Sequence, residues 1–171
     1  MTFRGFTIFM KVKKHKIRLI GRREFVSLSL LGIFKIEAKI DTGAYTSSLH
    51  CENINLNYEN SKPILYFTLE QNVTGTAEQK TLRFEEFSQK IIKNSFGEME
   101  ERYVIRTLVH IGKKKIWSEI SLSNRDAMKY PVLIGRKLLK GKFLIDVNQI
   151  HTDGLTLNKA FGLLNNKNNL K

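Results

Sequence analysis

The chain has 171 residues, enough for one domain with its own hydrophobic core. Its composition, 42% hydrophobic and 26% charged, is that of a folded soluble protein, and its two prolines and lack of biased repeats argue against linkers and low-complexity regions. No run approaches the roughly 20 apolar residues of a membrane-spanning helix, so we expect no membrane segment. The single cysteine excludes an intrachain disulfide and is typical of a protein of the reducing cytoplasm, where we expect this one.

The net charge of +13 is distributed unevenly along the chain. Residues 1–40 carry ten lysines and arginines against two acids, and residues 102–145 carry eleven against two. Residues 52–101 reverse the balance, with nine acids against five bases. Basic segments of this kind attract polyanions such as an acidic peptide, nucleic acid or membrane phosphates, although a basic surface can also serve solubility alone.

Short extended patterns follow one another along most of the chain. In chain order, strands are predicted at 17–20, 25–31, 36–41, 53–60 (an exposed edge), 63–69, 81–93, 103–111, 116–122, 131–135 and 143–147, with short helical turns at 124–128 and 136–139. The turn at 112–115 predicts a hairpin between the strands on either side of it, and a further turn is predicted at 96–98. The polar segment 71–80, centred on Gly75, predicts a loop. Many short strands with one or two short helices predict an all-β barrel or sandwich.

The strand patterns fill residues 17–157, which we assign to a single domain. Residues 1–16 are a basic N-terminal extension, in which an apolar patch precedes the basic cluster, the reverse of a secretory signal. Residues 158–171 are rich in asparagine and lysine and predict a polar, flexible C-terminal tail.

Several aromatic residues fall within apolar strand patterns and are predicted to lie in the core. They are Tyr66, Phe67, Phe84, Phe87, Trp117 and Phe143. Aromatic side chains that stack on single-stranded nucleic acid must be exposed beside basic residues, so this placement argues against nucleic acid as a partner.

The segment 36–51, IEAKIDTGAYTSSLHC, carries the candidate chemistry. Its alternating run leads Asp41 into a turn of small residues, Thr42, Gly43 and Ala44, and Gly43 permits a close approach that a larger residue would block. A carboxylate at a strand end in a tight turn is either a catalytic group or part of an ordinary turn. About ninety residues later a second apolar strand ends in a glycine, at 133–135.

Together these motifs resemble the retropepsin-like aspartic peptidases, in which an apolar run into Asp-Thr/Ser-Gly-Ala is matched downstream by two apolar residues and a glycine. The sequence is more closely similar to the family labelled ATP-dependent zinc proteases, also called RimB-like or RimK-associated peptidases, over about residues 17–150. The matching segments are AKIDTGAYTSSLH (38–50), WSEISLSNRDAMKYPVLIGRKLL (117–139) and FLIDV (143–147). The resemblance implies a closed or partly open acid-protease barrel. The position after Ala44, often basic in that family, is Tyr45 here.

The resemblance implies a homodimer, because an aspartic peptidase needs two carboxylates that share one proton. This chain contains one Asp-Thr-Gly, so Asp41 would pair with Asp41 of a second copy across a two-fold axis. Thr42 would brace the two loops and Gly43 would allow their close approach. Retropepsins also close a hairpin flap over the substrate, and the candidate flap here is 71–80.

The family association also implies a substrate class. RimK-type ATP-grasp ligases add glutamates to protein or peptide ends, and the associated peptidase is thought to trim them, so the expected partners are an acidic or glutamylated tail and a RimK-type ligase. The candidate substrate-binding residues are Lys39, Ala44, Tyr45, Arg125 and Arg136. The Arg136 guanidinium, next to Gly135, could bind a substrate carboxylate, or it could pair internally with Glu119 or Asp126.

No cofactor is required by the aspartic mechanism, and the zinc of the family label has little support in the residues. His-Glu-x-x-His and paired-cysteine motifs are absent, which leaves His50, Cys51 and His110 as weak candidate ligands for a metal-dependent hydrolase. The ATP of the label we assign to a partner, because the sequence has no phosphate-binding glycine loop. A second alternative is a non-catalytic module of the same fold that binds acidic peptides.

Overall fold

The structure is a computed structural model that describes residues 16–74, 79–93, 97–124 and 129–156. The predicted C-terminal tail, most of the N-terminal extension and residues 125–128 of a predicted helical turn lie outside the described residues. The domain boundaries at 17 and 157 therefore stay a prediction.

The described residues form thirteen strands and two four-residue helices. The strands are β1 (Arg18–Gly21), β2 (Arg23–Leu28), β3 (Ile33–Asp41), β4 (Ser47–His50), β5 (Glu52–Glu59), β6 (Lys62–Leu69), β7 (Lys80–Phe84), β8 (Phe87–Lys93), β9 (Met99–Ile111), β10 (Lys114–Ser123), β11 (Val132–Gly135), β12 (Phe143–Asp146) and β13 (Leu155–Thr156). The helices are α1 (Gln71–Thr74) and α2 (Arg136–Leu139). This confirms the predicted all-β fold class.

Six strands close into a barrel. Strands β10, β4, β11, β3, β2 and β9 are hydrogen-bonded in that order, and β9 pairs back onto β10. Strand β8 extends from β9 outside this ring, and two three-stranded sheets, β5-β6-β7 and β12-β1-β13, complete the fold. Of the two barrel forms implied by the resemblance, the structure has the closed one.

The barrel interior is filled by branched apolar side chains from alternate positions of its strands. Along β2, for example, Val26 and Leu28 are buried while Ser27 between them is partly exposed. Ile105, Ile120 and Ile134, from β9, β10 and β11, are fully buried in the same cluster. Burying each such side chain contributes roughly 1.5–3 kcal/mol, so the inward face of every strand holds the barrel closed.

The order of three strands in the barrel positions the candidate site. Although β3 and β4 are consecutive in sequence, β11 lies between them, parallel to β3 and antiparallel to β4. All four residues of β11 are buried, which agrees with its wholly apolar sequence. The turn from β3 to β4 must therefore pass over the end of β11, which is Gly135.

The structure corrects four predictions of the sequence. The single strand predicted at 81–93 is in fact two strands in different sheets, β7 and β8, which are separated by residues 85–86. The strand predicted at 25–31 ends at Leu28, where the ladder with β3 shifts register and a 3₁₀ turn, Ser29–Leu31, begins. The loop predicted at 71–80 is wrong over its first four residues, because these form α1, which packs on β3 and buries Val73. Trp117 is 56% exposed, because Ile116 takes the inward-facing position of β10 next to it.

Two other predictions are confirmed. Strands β9 and β10 form the predicted hairpin, and β5 is the predicted edge strand of its three-stranded sheet. None of the helices in the described part of the chain is long and apolar enough to cross a membrane.

Candidate active site

Asp41 lies at the end of β3, side by side with the end of β11. The parallel register pairs Asp41 with Gly135. The Asp41 carboxylate oxygen Oδ1 accepts hydrogen bonds from the backbone N–H groups of Gly43, at 3.0 Å, and Ala44, at 3.1 Å. The other oxygen, Oδ2, has no hydrogen-bond partner among the described residues. The turn thus fixes one oxygen of a half-buried carboxylate.

The two glycines predicted to matter lie where backbone segments pack closely. A Cβ added at Gly135 would lie 2.7 Å from both the carbonyl carbon and the oxygen of Thr46, which are backbone atoms that cannot move aside cheaply. A Cβ added at Gly43 would lie 3.3 Å from Oδ1 of Asp41. Glycine at 135 therefore lets the Asp41 turn lie directly on β11, and glycine at 43 leaves the carboxylate uncrowded.

Arg136 stabilises the turn through hydrogen bonds to its backbone carbonyl groups. Its guanidinium Nη1 donates to the carbonyl oxygens of Thr42, at 2.8 Å, and Gly43, at 2.9 Å. Its backbone N–H donates to the carbonyl of Ala44 at 2.9 Å. Arg136 is thus engaged with the turn itself. Of the two internal partners predicted for it, Glu119 pairs with lysines and Asp126 lies outside the described residues. Its predicted contact with a substrate carboxylate stays a prediction.

A pair of buried serines completes the support of the turn. The hydroxyl of Ser47 accepts a hydrogen bond from the backbone N–H of Gly135 at 3.1 Å. The hydroxyl of Ser121 donates to the carbonyl oxygen of Ser47 at 3.1 Å. Sequence reasoning did not assign either serine. The run of hydroxyl residues at 46–48 was the available signal for Ser47, because small hydroxyl side chains commonly form hydrogen bonds with nearby backbone groups.

A cavity of about 630 Å³ opens over Asp41. Its lining includes residues of the turn from Asp41 to Thr46, together with Ser121 and Leu133. It also includes Ile91, Ile92 and Lys93 of β8 and Arg102 of β9. A cavity of this size accommodates several residues of an extended peptide.

One wall of the cavity, formed by β8 and β9, belongs to a hairpin other than the flap predicted at 71–80. Strands β8 and β9 pair from Phe87–Ile105 to Lys93–Met99, which carries their far end beside the cavity. Residues 75–78, the middle of the predicted flap, lie outside the described residues, and α1 before them is packed in the core. The sequence did contain the signal for the observed hairpin, in two extended patterns on either side of the turn at 96–98.

A charged bridge joins this hairpin to α2. Glu119 of β10 accepts hydrogen bonds from Lys90 of β8, at 2.8 Å, and from Lys137 of α2, at 2.6 Å. Lys137, and next to it Lys90, lower the pKa of the Glu119 carboxyl below its ordinary value. The bridge therefore links the cavity wall to the helix that follows Gly135.

The remaining candidate substrate-binding residues are differently placed. Ala44 and Tyr45 line the cavity, and the Tyr45 side chain is 62% exposed there. Lys39 is exposed on β3, two residues before Asp41, and does not line the cavity. Arg125 lies outside the described residues.

The three candidate metal ligands have separate environments. His50 Nε2 lies 3.5 Å from a carboxylate oxygen of Glu70, and His110 Nε2 lies 3.5 Å from the hydroxyl of Ser29. Cys51 is fully buried, and burial raises the pKa of its thiol to about 12. A thiol binds metal as the thiolate, so this environment disfavours Cys51 as a ligand. In the described ranges, no group of three or more His, Cys, Asp or Glu side chains is arranged to hold a metal ion.

Comparison with known proteins gives matches at the level of family, relatives and fold. A family model described as RimB-like, retropepsin-like aspartic endopeptidase RimB, matches residues 19–153. The chain is 36% identical over 133 residues to a probable alpha-L-glutamate ligase of Shewanella halifaxensis, and 36% identical over 130 residues to another of Desulfotalea psychrophila. These matches cover 77% and 75% of this chain but 29% and 28% of the relatives, so the chain spans less than a third of their length.

The fold is also found among solved structures. A crystal structure of a protein of unknown function from Legionella pneumophila superposes with a TM-score of 0.62 at 25% sequence identity. The superposition covers 80% of this chain and 98% of that protein.

Proposed function

Because this chain belongs to the RimB-like family of retropepsin-like aspartic endopeptidases, we propose that it is a peptidase whose catalytic dyad is formed by Asp41 of two copies. The single observation that carries the proposal is the environment of Asp41. Two backbone N–H groups hold one carboxylate oxygen, and Asp41 lines a peptide-sized cavity. A second carboxylate is required for the reaction, and a second copy of the same turn supplies it with matching geometry.

In this mechanism the two carboxyl groups share one proton. The ionised Asp41 removes a proton from a water molecule, whose oxygen forms a bond to the scissile carbonyl carbon. The protonated Asp41 of the other copy donates its proton to the carbonyl oxygen. Transfer of a proton to the amide nitrogen then breaks the carbon–nitrogen bond and releases an amine and a carboxylic acid.

We propose glutamate-rich peptide tails as the substrate. The curated relatives are named as probable glutamate ligases, and this chain matches a segment of less than a third of their length, which supports a functional link to glutamate addition. The charge of the cavity agrees, because Lys93, Arg102 and Arg136 line it together with Asp41. A basic cleft attracts an anionic peptide and raises its local concentration. A RimK-type ligase is accordingly the proposed functional partner, and the cytoplasm is the proposed location.

The test is the Asp41→Asn variant, assayed by mass spectrometry on a peptide with an oligoglutamate tail. We expect hydrolysis to fall by about 1,000-fold or more, because asparagine can neither accept the proton of water nor donate one as a carboxylic acid does. The far-ultraviolet circular dichroism should not change, since the asparagine side-chain oxygen can still accept hydrogen bonds from Gly43 and Ala44.

The matched control is Asp146→Asn, at the end of β12, where the carboxylate accepts a hydrogen bond from the backbone N–H of Asn148. This variant should hydrolyse the tail at the wild-type rate. Hydrolysis by Asp41→Asn at the wild-type rate would reject the proposal. Loss of wild-type activity on chelation would favour the metal-dependent alternative, and salt-sensitive binding of the tail without any hydrolysis would favour the binding module.

A further inference from the structure

Arg102 is the most deeply buried charged side chain that lines the cavity, among the residues that the structure describes. It lies on β9, paired across the hairpin with Lys90 of β8, and only 4% of its side chain is exposed. Arginine is rarely buried to this extent, because removing a guanidinium from water is costly unless its donors are satisfied. Its burial in the cavity that Asp41 also lines therefore needs a physical reason.

The guanidinium of Arg102 is incompletely paired in the described part of the chain. Its Nη2 donates to Oε2 of Glu100 at 2.5 Å, and the Glu100 side chain is 44% exposed. Its Nε is buried and has no hydrogen-bond partner among the described residues. The N–H of Nε and one N–H of Nη2 are parallel donors, spaced to bind both oxygens of a single carboxylate. The contact from Glu100 Oε2 leaves the Nε donor of this pair unused.

The rest of the cavity favours an incoming anion. Of the described residues that line it, Asp41 is the one acid, and Lys93 adds a positive charge on the same wall as Arg102. Arg136, which is exposed, already donates from Nη1 to the carbonyl oxygens of Thr42 and Gly43. Among the described cations that line the cavity, Arg102 is therefore the buried one, and its Nε donor is unpaired.

We propose that Arg102 determines specificity by binding the side-chain carboxylate of a glutamate residue of the substrate, next to the scissile bond. This inference rests on the proposed function and deepens it, because it assigns the recognition of acidic side chains to one residue. The substrate carboxylate takes the Nη2 and Nε donors together and displaces the Glu100 carboxylate toward solvent. Glutamine at the same position lacks the charge and presents one acceptor oxygen, so it leaves a buried donor unpaired.

The experiment compares peptides with an oligoglutamate tail and with an oligoglutamine tail of the same length. In the wild type we expect kcat/KM to favour the glutamate peptide by about 30-fold or more. In Arg102→Gln this preference should fall to within about threefold of unity, because hydrolysis of the glutamate peptide loses more than hydrolysis of the glutamine peptide. The matched control is Arg106→Gln, on the same strand but over the ring of Trp117 rather than in the cavity, and it should keep the wild-type preference.

A merely structural role of Arg102 predicts a different result. If Arg102 only held the hairpin through Glu100, its replacement would slow hydrolysis of both peptides equally and leave their ratio as in the wild type. An unchanged glutamate-to-glutamine ratio in Arg102→Gln would therefore overturn the proposal.

A binding measurement separates this proposal from the proposed function. In the Asp41→Asn background, calorimetry with the two peptides needs no catalysis, and we expect the preference for glutamate to be lost when Arg102→Gln is added. Wild-type protein that fails to hydrolyse either peptide, combined with Arg102-dependent binding of oligoglutamate, would reject the peptidase and retain the role of Arg102.

A second variant decides the question if Arg102→Gln does not fold. Glu100→Gln keeps the guanidinium and removes the charged group that competes for it, at a partly exposed position. We expect the oligoglutamate peptide to bind about threefold more tightly or better, with no gain for oligoglutamine. Equal or weaker binding of oligoglutamate by this variant would count against the proposal.

Discussion

At the scale of single residues, the position of Asp41 depends on backbone donors and on the packing beneath it. The N–H groups of Gly43 and Ala44 hold Oδ1, and the guanidinium of Arg136 holds the carbonyls on the opposite side of the same turn. Because the carboxylate is fixed by peptide groups, its orientation is set by the fold of the turn rather than by rotamers of long side chains. This makes Asp41→Asn an informative variant, since it changes the chemistry while keeping the acceptor that the turn needs.

A second carboxylate, Glu24, has a purely structural environment. It is fully buried, and its Oε1 accepts hydrogen bonds from the backbone N–H of Gly21 at 2.6 Å and from the N–H and hydroxyl of Thr152 at 3.0 and 2.6 Å. Its Oε2 accepts from the backbone N–H of Asp153 at 3.2 Å. Glu24 therefore joins β2 to the segment that precedes β13.

We predict that Glu24→Gln lowers the free energy of unfolding by about 2–4 kcal/mol, because the amide nitrogen of glutamine would face donors that need an acceptor. Urea unfolding followed by circular dichroism measures the change. The control is Glu37→Gln, whose carboxylate pairs with Arg23 and His151 at a partly exposed site, and there we expect about 1 kcal/mol or less. Equal effects of the two variants would contradict the assigned role of Glu24.

At the scale of elements, the Glu119 bridge ties the outer strand β8 to β10 and α2, whereas β9 is itself a strand of the barrel. Lys137 and Lys90 lower the pKa of Glu119. The charged carboxylate therefore stabilises the attachment of β8 at pH values above 4.5, the ordinary pKa of a glutamate side chain. The contribution is lost as the pH falls below that value and Glu119 becomes protonated. The bridge is partly exposed, so its effect is local rather than global.

We therefore predict that the amides of β8 exchange faster with solvent at pH 3 than at pH 6, after correction for the intrinsic pH dependence of exchange. Hydrogen exchange followed by mass spectrometry measures this by peptide. Glu119→Gln should show the faster exchange at both pH values, because it cannot form the charged bridge. If β8 in this variant still responded to pH as in the wild type, another group would be responsible.

At the scale of the whole molecule, the proposed chemistry is a property of two chains. One chain brings one Asp41 turn to the rim of its cavity, and the reaction needs two carboxyl groups. We predict that mixing wild-type protein with an equal amount of Asp41→Asn protein, under conditions that allow subunits to exchange, reduces activity per wild-type chain to about half. In a random mixture half of the wild-type chains pair with the variant, and a mixed dimer contains one carboxylate of the dyad.

The measurement is hydrolysis of the oligoglutamate peptide as the proportion of variant is raised. Activity proportional to the square of the wild-type fraction supports a shared dyad. Activity proportional to the fraction itself would mean that each chain works alone, and sedimentation of the same mixtures establishes whether dimers are present.

The sequence by itself determined the features that depend on local spacing. Alternation of apolar and polar residues placed most of the strands, and the glycine turn at 112–115 marked the β9–β10 hairpin, because side chains of a strand alternate between its two faces whatever the topology. The small residues around Asp41 and the apolar strand ending in Gly135 identified the two segments that the fold brings together, since their packing requires those residues.

Only the tertiary structure decided the features that depend on which strands are neighbours. Local patterns do not reveal that β11 lies between β3 and β4, that α1 is packed in the core or that β8–β9 reaches the cavity, because strand order and register are set by long-range pairing. For the same reason, Trp117 was misplaced in the core and Arg102 was not identified. Arg102 and Asp41 line one cavity although they lie about sixty residues apart in sequence, on β9 and β3, two strands that are not paired with each other.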